Sequence, residues 1–145
     1  MSIVLGYDES PGARHALEVA LDVASRFAEP LVLVYATMPP GPRGEEFREH
    51  RMALEEFGRA AIASAVETAT ARGVSTVVEL VSQKPAEALL EVADRYDAAC
   101  IVVGTWGESP LRGAILGSTS HKLLHLSHRP VLCVPAPQPP QEERD

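Results

Sequence analysis

Five short apolar, β-rich runs, separated by four longer segments of helical periodicity, constrain this chain more than any other feature. The runs cover residues 3–7, 31–36, 76–81, 99–104 and 131–134. Four of them carry no charge. The third holds Glu79 among Val77, Val78, Leu80 and Val81, and a carboxylate there is easiest to accommodate on an edge strand. Parallel neighbours need a crossover connection, usually helical and right-handed. Strict alternation therefore predicts a doubly wound α/β fold, a five-stranded parallel sheet with helices on both faces.

The segments between the runs have apolar stripes. Ala16, Leu17, Ala20, Leu21, Ala24 and Phe27 mark an amphipathic helix that opens near Pro11. Phe47, Leu54, Phe57, Ala61, Ala65 and Ala69 mark a long one over residues 45–72, with Gly73 as its stop. A third helix runs from Pro85 through Leu89, Leu90 and Ala93 to Tyr96. A fourth runs from Ser118 through Leu123, Leu124 and Leu126 to Ser127. Residues 37–44, with Pro39, Pro40, Pro42, Gly41 and Gly44, read as a loop after the second strand. Residues 136–145, proline-rich and acidic, read as an extended tail on a domain of residues 1–135.

A chain of 145 residues suits one domain with a substantial core. With 46% hydrophobic and 23% charged residues it has the balance of a soluble globular protein. Apolar stretches such as residues 98–103 fall far short of the roughly 20 residues a membrane span needs. The opening residues lack the basic region and cleavage site of a secretory signal, so a cytoplasmic location is expected. A net charge of −7 repels a phosphate backbone and argues against nucleic acid as a partner. Arg43, Arg48 and Arg51 are interleaved with Glu45, Glu46 and Glu49, as on a solvated helix surface. Cys100 and Cys133 sit in apolar runs and read as small buried hydrophobes; a cytoplasmic setting argues against their pairing.

The chemistry concentrates where the fourth strand ends. Gly104-Thr105-Trp106-Gly107 is followed by nine residues and then by Gly117-Ser118-Thr119-Ser120 at the start of the last helix. Glycines let a backbone approach a phosphate without Cβ obstruction, and a helix N-terminus offers free N–H groups and a positive dipole end. The spacing is G-x2-G-x9-G-[ST], in the strand-to-helix context a phosphate-binding loop requires. There is no G-x-x-x-x-G-K-[ST] and no early G-x-G-x-x-G, which speaks against a P-loop NTPase or a dinucleotide-binding enzyme. Nothing pairs an obvious nucleophile with a positioned base. His121, His125 and His128 are spaced by four and three, but no Cys or acidic ligand is evident beside them. They read, like His15, as surface helix residues rather than a metal site.

On these residues the chain resembles the universal stress protein family from Ser2 to about Pro135. The glycine motif is the specific part. Asp8-Glu9-Ser10 looks like the family's Asp-x-Ser, Pro85-Ala86-Glu87-Ala88-Leu89 its third-helix opening, and Pro130-Val131-Leu132-Cys133-Val134 its closing strand. The resemblance implies strand order 3-2-1-4-5 and an adenine nucleotide, ATP or else AMP or ADP with or without Mg²⁺, at the switch point between strands one and four. It places Gly6, Tyr7 and Asp8 on the nucleoside side and Ala36 and Val103 beside the adenine. Gly104 ends the fourth strand at this crevice, and Gly107, Gly117, Ser118, Thr119 and Ser120 fall around the phosphates. It further implies a stress-response regulator that forms a homodimer through the Val131–Val134 edge. Slow Mg-dependent ATP hydrolysis and a nucleotide-free interaction module are the alternatives. The sequence departs from the commoner family pattern at Trp106 and at Glu108, whose carboxylate repels a triphosphate unless it points away or meets a metal. Arg112, on the same loop, supplies an opposing charge.

Overall fold

In the computed structural model, which describes residues 1–8, 10–36, 45–105 and 118–135, strands and helices alternate without interruption. The elements are β1 (Ser2–Gly6), α1 (Pro11–Phe27), β2 (Leu31–Ala36), α2 (Glu45–Ala71), β3 (Thr76–Val81), α3 (Pro85–Arg95), β4 (Ala98–Gly104), α4 (Ser118–Leu126) and β5 (Val131–Val134). All pairings are parallel and the order is β3-β2-β1-β4-β5. The expected class and strand order are both observed. Residues 37–44 and 136–145, expected as loop and tail, lie outside the described residues.

Alternation along each strand sends side chains to opposite faces and creates two cores. On one face Ile3, Leu5, Leu31, Leu33 and Val102 pack against Ala16, Leu17, Ala20 and Leu21 of α1 and Ala61, Ile62, Ala65 and Ala69 of α2. On the other, Val4, Val32, Val34, Ile101 and Val103 pack against Ala88, Leu89 and Val92 of α3 and Leu123 of α4. The alanine-rich stripes of α1 and α2 let both helices lie close to the sheet. Two helices have local reasons to start where they do, and a third to stop. Ser10 caps α1, its Oγ accepting the Ala13 N–H at 3.1 Å, and Pro11 opens the first turn. Pro85 opens α3 in the same way. Gly73 follows α2 with a φ of 74°, the left-handed turn that glycine adopts without strain.

β3 is an edge, where Glu79 suggested it would be. Its carboxylate accepts the Tyr96 hydroxyl and lies 3.3 Å from the Arg95 guanidinium. The bond to Glu79 raises the Tyr96 phenol above its ordinary value.

The helix stripes run further in sequence than in space. Phe27 and Phe57, read as inward residues, are exposed, as are Leu124 and Leu126. Phe27 is the last helical residue before Ala28 turns the chain with a left-handed φ of 53°. On α4 the buried residues are Ser120 and Leu123. Cys100 and Cys133 are partly rather than fully buried, and both are free thiols. Burial pushes the Cys100 thiol up, which keeps it protonated and unreactive. Among the described residues no helix is long and apolar enough to cross a membrane.

One leucine thus anchors the apolar side of α4. Replacing Leu123 by Ala is expected to destabilise the protein by about 2–5 kcal/mol in denaturant titration. Leu124→Ala, at a side 51% exposed in the neighbouring position, is expected to stay within about 0.5 kcal/mol of wild type.

Candidate functional site

All five strands end on the same side of the sheet, and every helix there begins where a strand has ended. The chain leaves β1 through α1 towards β2 and leaves β4 through α4 towards β5, in opposite lateral directions. A crevice opens between two such carboxyl ends, at the switch point of an open α/β sheet. Here it lies between Gly6 and Gly104.

On the β1 side, the Tyr7 N–H continues the ladder by donating to the Val34 carbonyl at 2.9 Å, and the Tyr7 side chain is buried in the α1/α2 core. Asp8 is exposed. Its Oδ1 accepts the Ser10 N–H at 3.0 Å, an Asx turn that steers the chain into the Ser10 cap of α1. Asp8 is therefore held in place by the residue that starts the first helix.

On the β4 side, a Cβ on Gly104 would lie 2.9 Å from the carbonyl carbon of Gly12 and 3.0 Å from its oxygen. The first turn of α1 thus rests directly on the end of β4. Gly6 has a similar reason on the opposite face, where a Cβ would stand 3.0 Å from Leu89 Cδ1 and 3.4 Å from Val103 Cγ1. Gly104 permits a close approach of backbone that a side chain would block, whereas at Gly6 the Leu89 side chain would have to give way by a few tenths of an ångström. Val103 is buried beneath this contact, whereas Ala36, at the end of β2, is partly exposed.

Among the described residues one polar bond joins α4 to β4. The Ser120 hydroxyl, 1% exposed, donates to the Gly104 carbonyl at 3.1 Å. That bond sets the first turn of α4 beside the end of β4. Ser118 is exposed and Thr119 partly so, at the helix end where backbone N–H groups lack intrahelical acceptors. Thr105, the residue after β4, extends the ladder by donating its N–H to the Val134 carbonyl at 2.9 Å. Its Oγ1 is buried and has no hydrogen-bond partner among the described residues. Hydroxyls and helix N–H groups are the donors an anionic ligand would meet, so the groups present fit a phosphate.

The structure thus puts Gly6 at the end of β1 with Asp8 just beyond it, and Gly104 at the end of the neighbouring β4, to which Ser120 of α4 is bonded. Gly107 and Gly117, together with Trp106, Glu108 and Arg112, lie outside the described residues. Sequence reasoning missed three contributors. Gly12 and Leu89 act through contacts about eighty or more positions away, which no local pattern reports. Thr105 was legible only as a residue inside the glycine motif. Among the described residues no group of three or more His, Cys, Asp or Glu side chains could hold a metal ion.

Known proteins share this fold. A universal stress protein of Thermus aquaticus is 36% identical over 135 residues, which cover 92% of this chain and 97% of that protein. The crystal structure of a universal stress protein family member from Burkholderia pseudomallei matches at a TM-score of 0.77 with 32% identity, over 93% of this chain and 96% of the other. A universal stress protein solved in complex with cAMP matches at a TM-score of 0.72 with 27% identity, over 94% and 98% of the two chains. The sequence model of the universal stress protein family covers residues 1–135, and with the strand order, the crevice and these relatives it establishes that the chain belongs to the universal stress protein family.

Proposed function

We propose that the crevice between β1 and β4 binds an adenine nucleotide, and that occupancy by ATP, ADP or AMP regulates a homodimer in a stress response. The observation that carries this reading is the Ser120–Gly104 bond of 3.1 Å, which ties the first turn of α4 to the end of β4 at the switch point of the sheet. The cAMP bound by a relative with the same fold supports it.

Each residue has a role that follows from its chemistry. Oδ1 of Asp8 is taken by Ser10, which leaves Oδ2 to accept ribose hydroxyls, beside the backbone of Gly6 and Tyr7. Ala36 and Val103 offer an apolar edge to the adenine. Gly104, Gly107 and Gly117 keep Cβ atoms away from the phosphates, and Ser118 and Thr119 add hydroxyl donors. Ser120 contributes through its backbone N–H, since its hydroxyl is engaged with Gly104. With a triphosphate, Mg²⁺ would neutralise charge by bridging phosphate and protein oxygens, which also relieves the repulsion from Glu108.

The dimer follows from the second edge of the sheet. β5 is short and terminal, and Leu132 on it is 39% exposed. Apolar edge strands invite pairing with another copy, and a twofold axis makes such a contact self-complementary.

Two measurements check these proposals. In isothermal titration with ATP and AMP, Asp8→Ala is expected to weaken binding by about tenfold or more, the worth of a hydrogen bond to a charged group. Gly117→Val is expected to weaken it as well, by putting a branched side chain against the phosphates. Negligible affinity in wild type and variants alike would end the nucleotide reading. In light scattering after gel filtration, the wild type is expected at twice the monomer mass and Leu132→Glu at the monomer mass; a monomeric wild type would rule the dimer out.

A further inference from the structure

α4 carries two imidazoles on one face. His121 and His125 are four residues apart, the spacing at which helical side chains stand one above the other. Both are exposed, and their ring centroids are 4.7 Å apart with planes inclined at 72°. A tetrahedral ion bonded at about 2.0–2.1 Å to one nitrogen of each ring holds the two centroids roughly 5 Å apart. The rings already stand close to that separation. We propose that His121 and His125 form a two-imidazole binding site for a first-row transition-metal dication such as Zn²⁺ or Ni²⁺.

The ligand chemistry selects this class. Neutral imidazole suits zinc, copper and nickel, whereas Mg²⁺ and Ca²⁺ take oxygen ligands. No third His, Cys, Asp or Glu completes the site among the described residues, so water fills the remaining positions and the ion stays exchangeable. The neighbouring cation does not oppose it, because Lys122 projects about 100° further round the helix than His121. The net charge of −7 favours a dication near the surface. Helical geometry is what brings the two rings together, so metal binding also stabilises the nine-residue α4. The site uses none of the groups assigned to the nucleotide and stands or falls separately from it.

The test is calorimetric titration of the tag-free, full-length protein with ZnCl₂, and separately with NiCl₂, at a mildly alkaline pH where imidazole is neutral. One binding event is expected, weakened roughly tenfold or more in His121→Asn and in His125→Asn. His128→Ala is expected to bind as wild type does. ZnCl₂ should raise the thermal unfolding midpoint of the wild type and leave those of the two asparagine variants unchanged. The positions are exposed, so the variants keep the fold, which circular dichroism verifies. Undiminished affinity in either asparagine variant, or no binding by the wild type up to about 1 mM metal, overturns the proposal.

Discussion

The parallel pairing of β1 with β4 is the constraint on which the rest of the structure depends. β1 is the central strand, buried on both faces, and it joins β2 through α1 while β4 continues outward to β5. Because these two halves wind in opposite directions from one pair of neighbours, the crevice at their carboxyl ends is a consequence of topology. The pairing also fixes which groups reach it. Ile3 opposite Cys100, Val4 opposite Ile101 and Leu5 opposite Val102 bring Gly6 beside Val103, one residue before the end of β4. A slip of one residue would exchange the two cores and remove Asp8 from the crevice's rim.

Three polar bonds then hold the flanking helices to that frame. The Asp8–Ser10 and Ser10–Ala13 bonds, at 3.0 and 3.1 Å, fasten the start of α1, and the Ser120–Gly104 bond fastens the start of α4. Each is short-range in space and close to the crevice, where loops elsewhere in a fold are free to vary. The Gly104–Gly12 approach adds a steric condition, because the α1 turn cannot sit on β4 if Gly104 gains a Cβ. Packing of α1 thus demands that Gly104 carry no side chain.

How far the sequence revealed this depends on whether the deciding contact was local. Uncharged runs were readable as strands because a strand covered on both faces must be apolar, and Glu79 marked β3 as an edge for the complementary reason. Pro11 marked the start of α1, whereas the Ser10 cap emerged only from the structure. The periodicity did not tell where each stripe ceases to be covered. Phe57 and Leu124 continue their helical patterns yet face outward, since burial depends on the element opposite and not on spacing alone. The glycine motif disclosed that Gly104 needs no side chain. It did not disclose that Gly12, 92 positions earlier in the chain, approaches it.

α4 connects the candidate crevice to the sheet's outer edge in a single step. Its first turn is tied to β4 through Ser120, and its far end leads to β5 through a turn that is itself clipped. There the Ser127 hydroxyl donates to the Arg129 carbonyl at 2.8 Å and accepts the Arg129 N–H at 3.0 Å. The Arg129 guanidinium donates to the Ala98 carbonyl at 2.7 Å, at the start of β4. A ligand held by the first turn of α4 would therefore act on an element whose other end positions β5. Leu123 is its one buried apolar anchor, so small shifts of α4 meet little packing resistance beyond that contact. α4 thus runs from the candidate crevice to the β5 edge, the arrangement through which the proposed nucleotide would act on the proposed dimer.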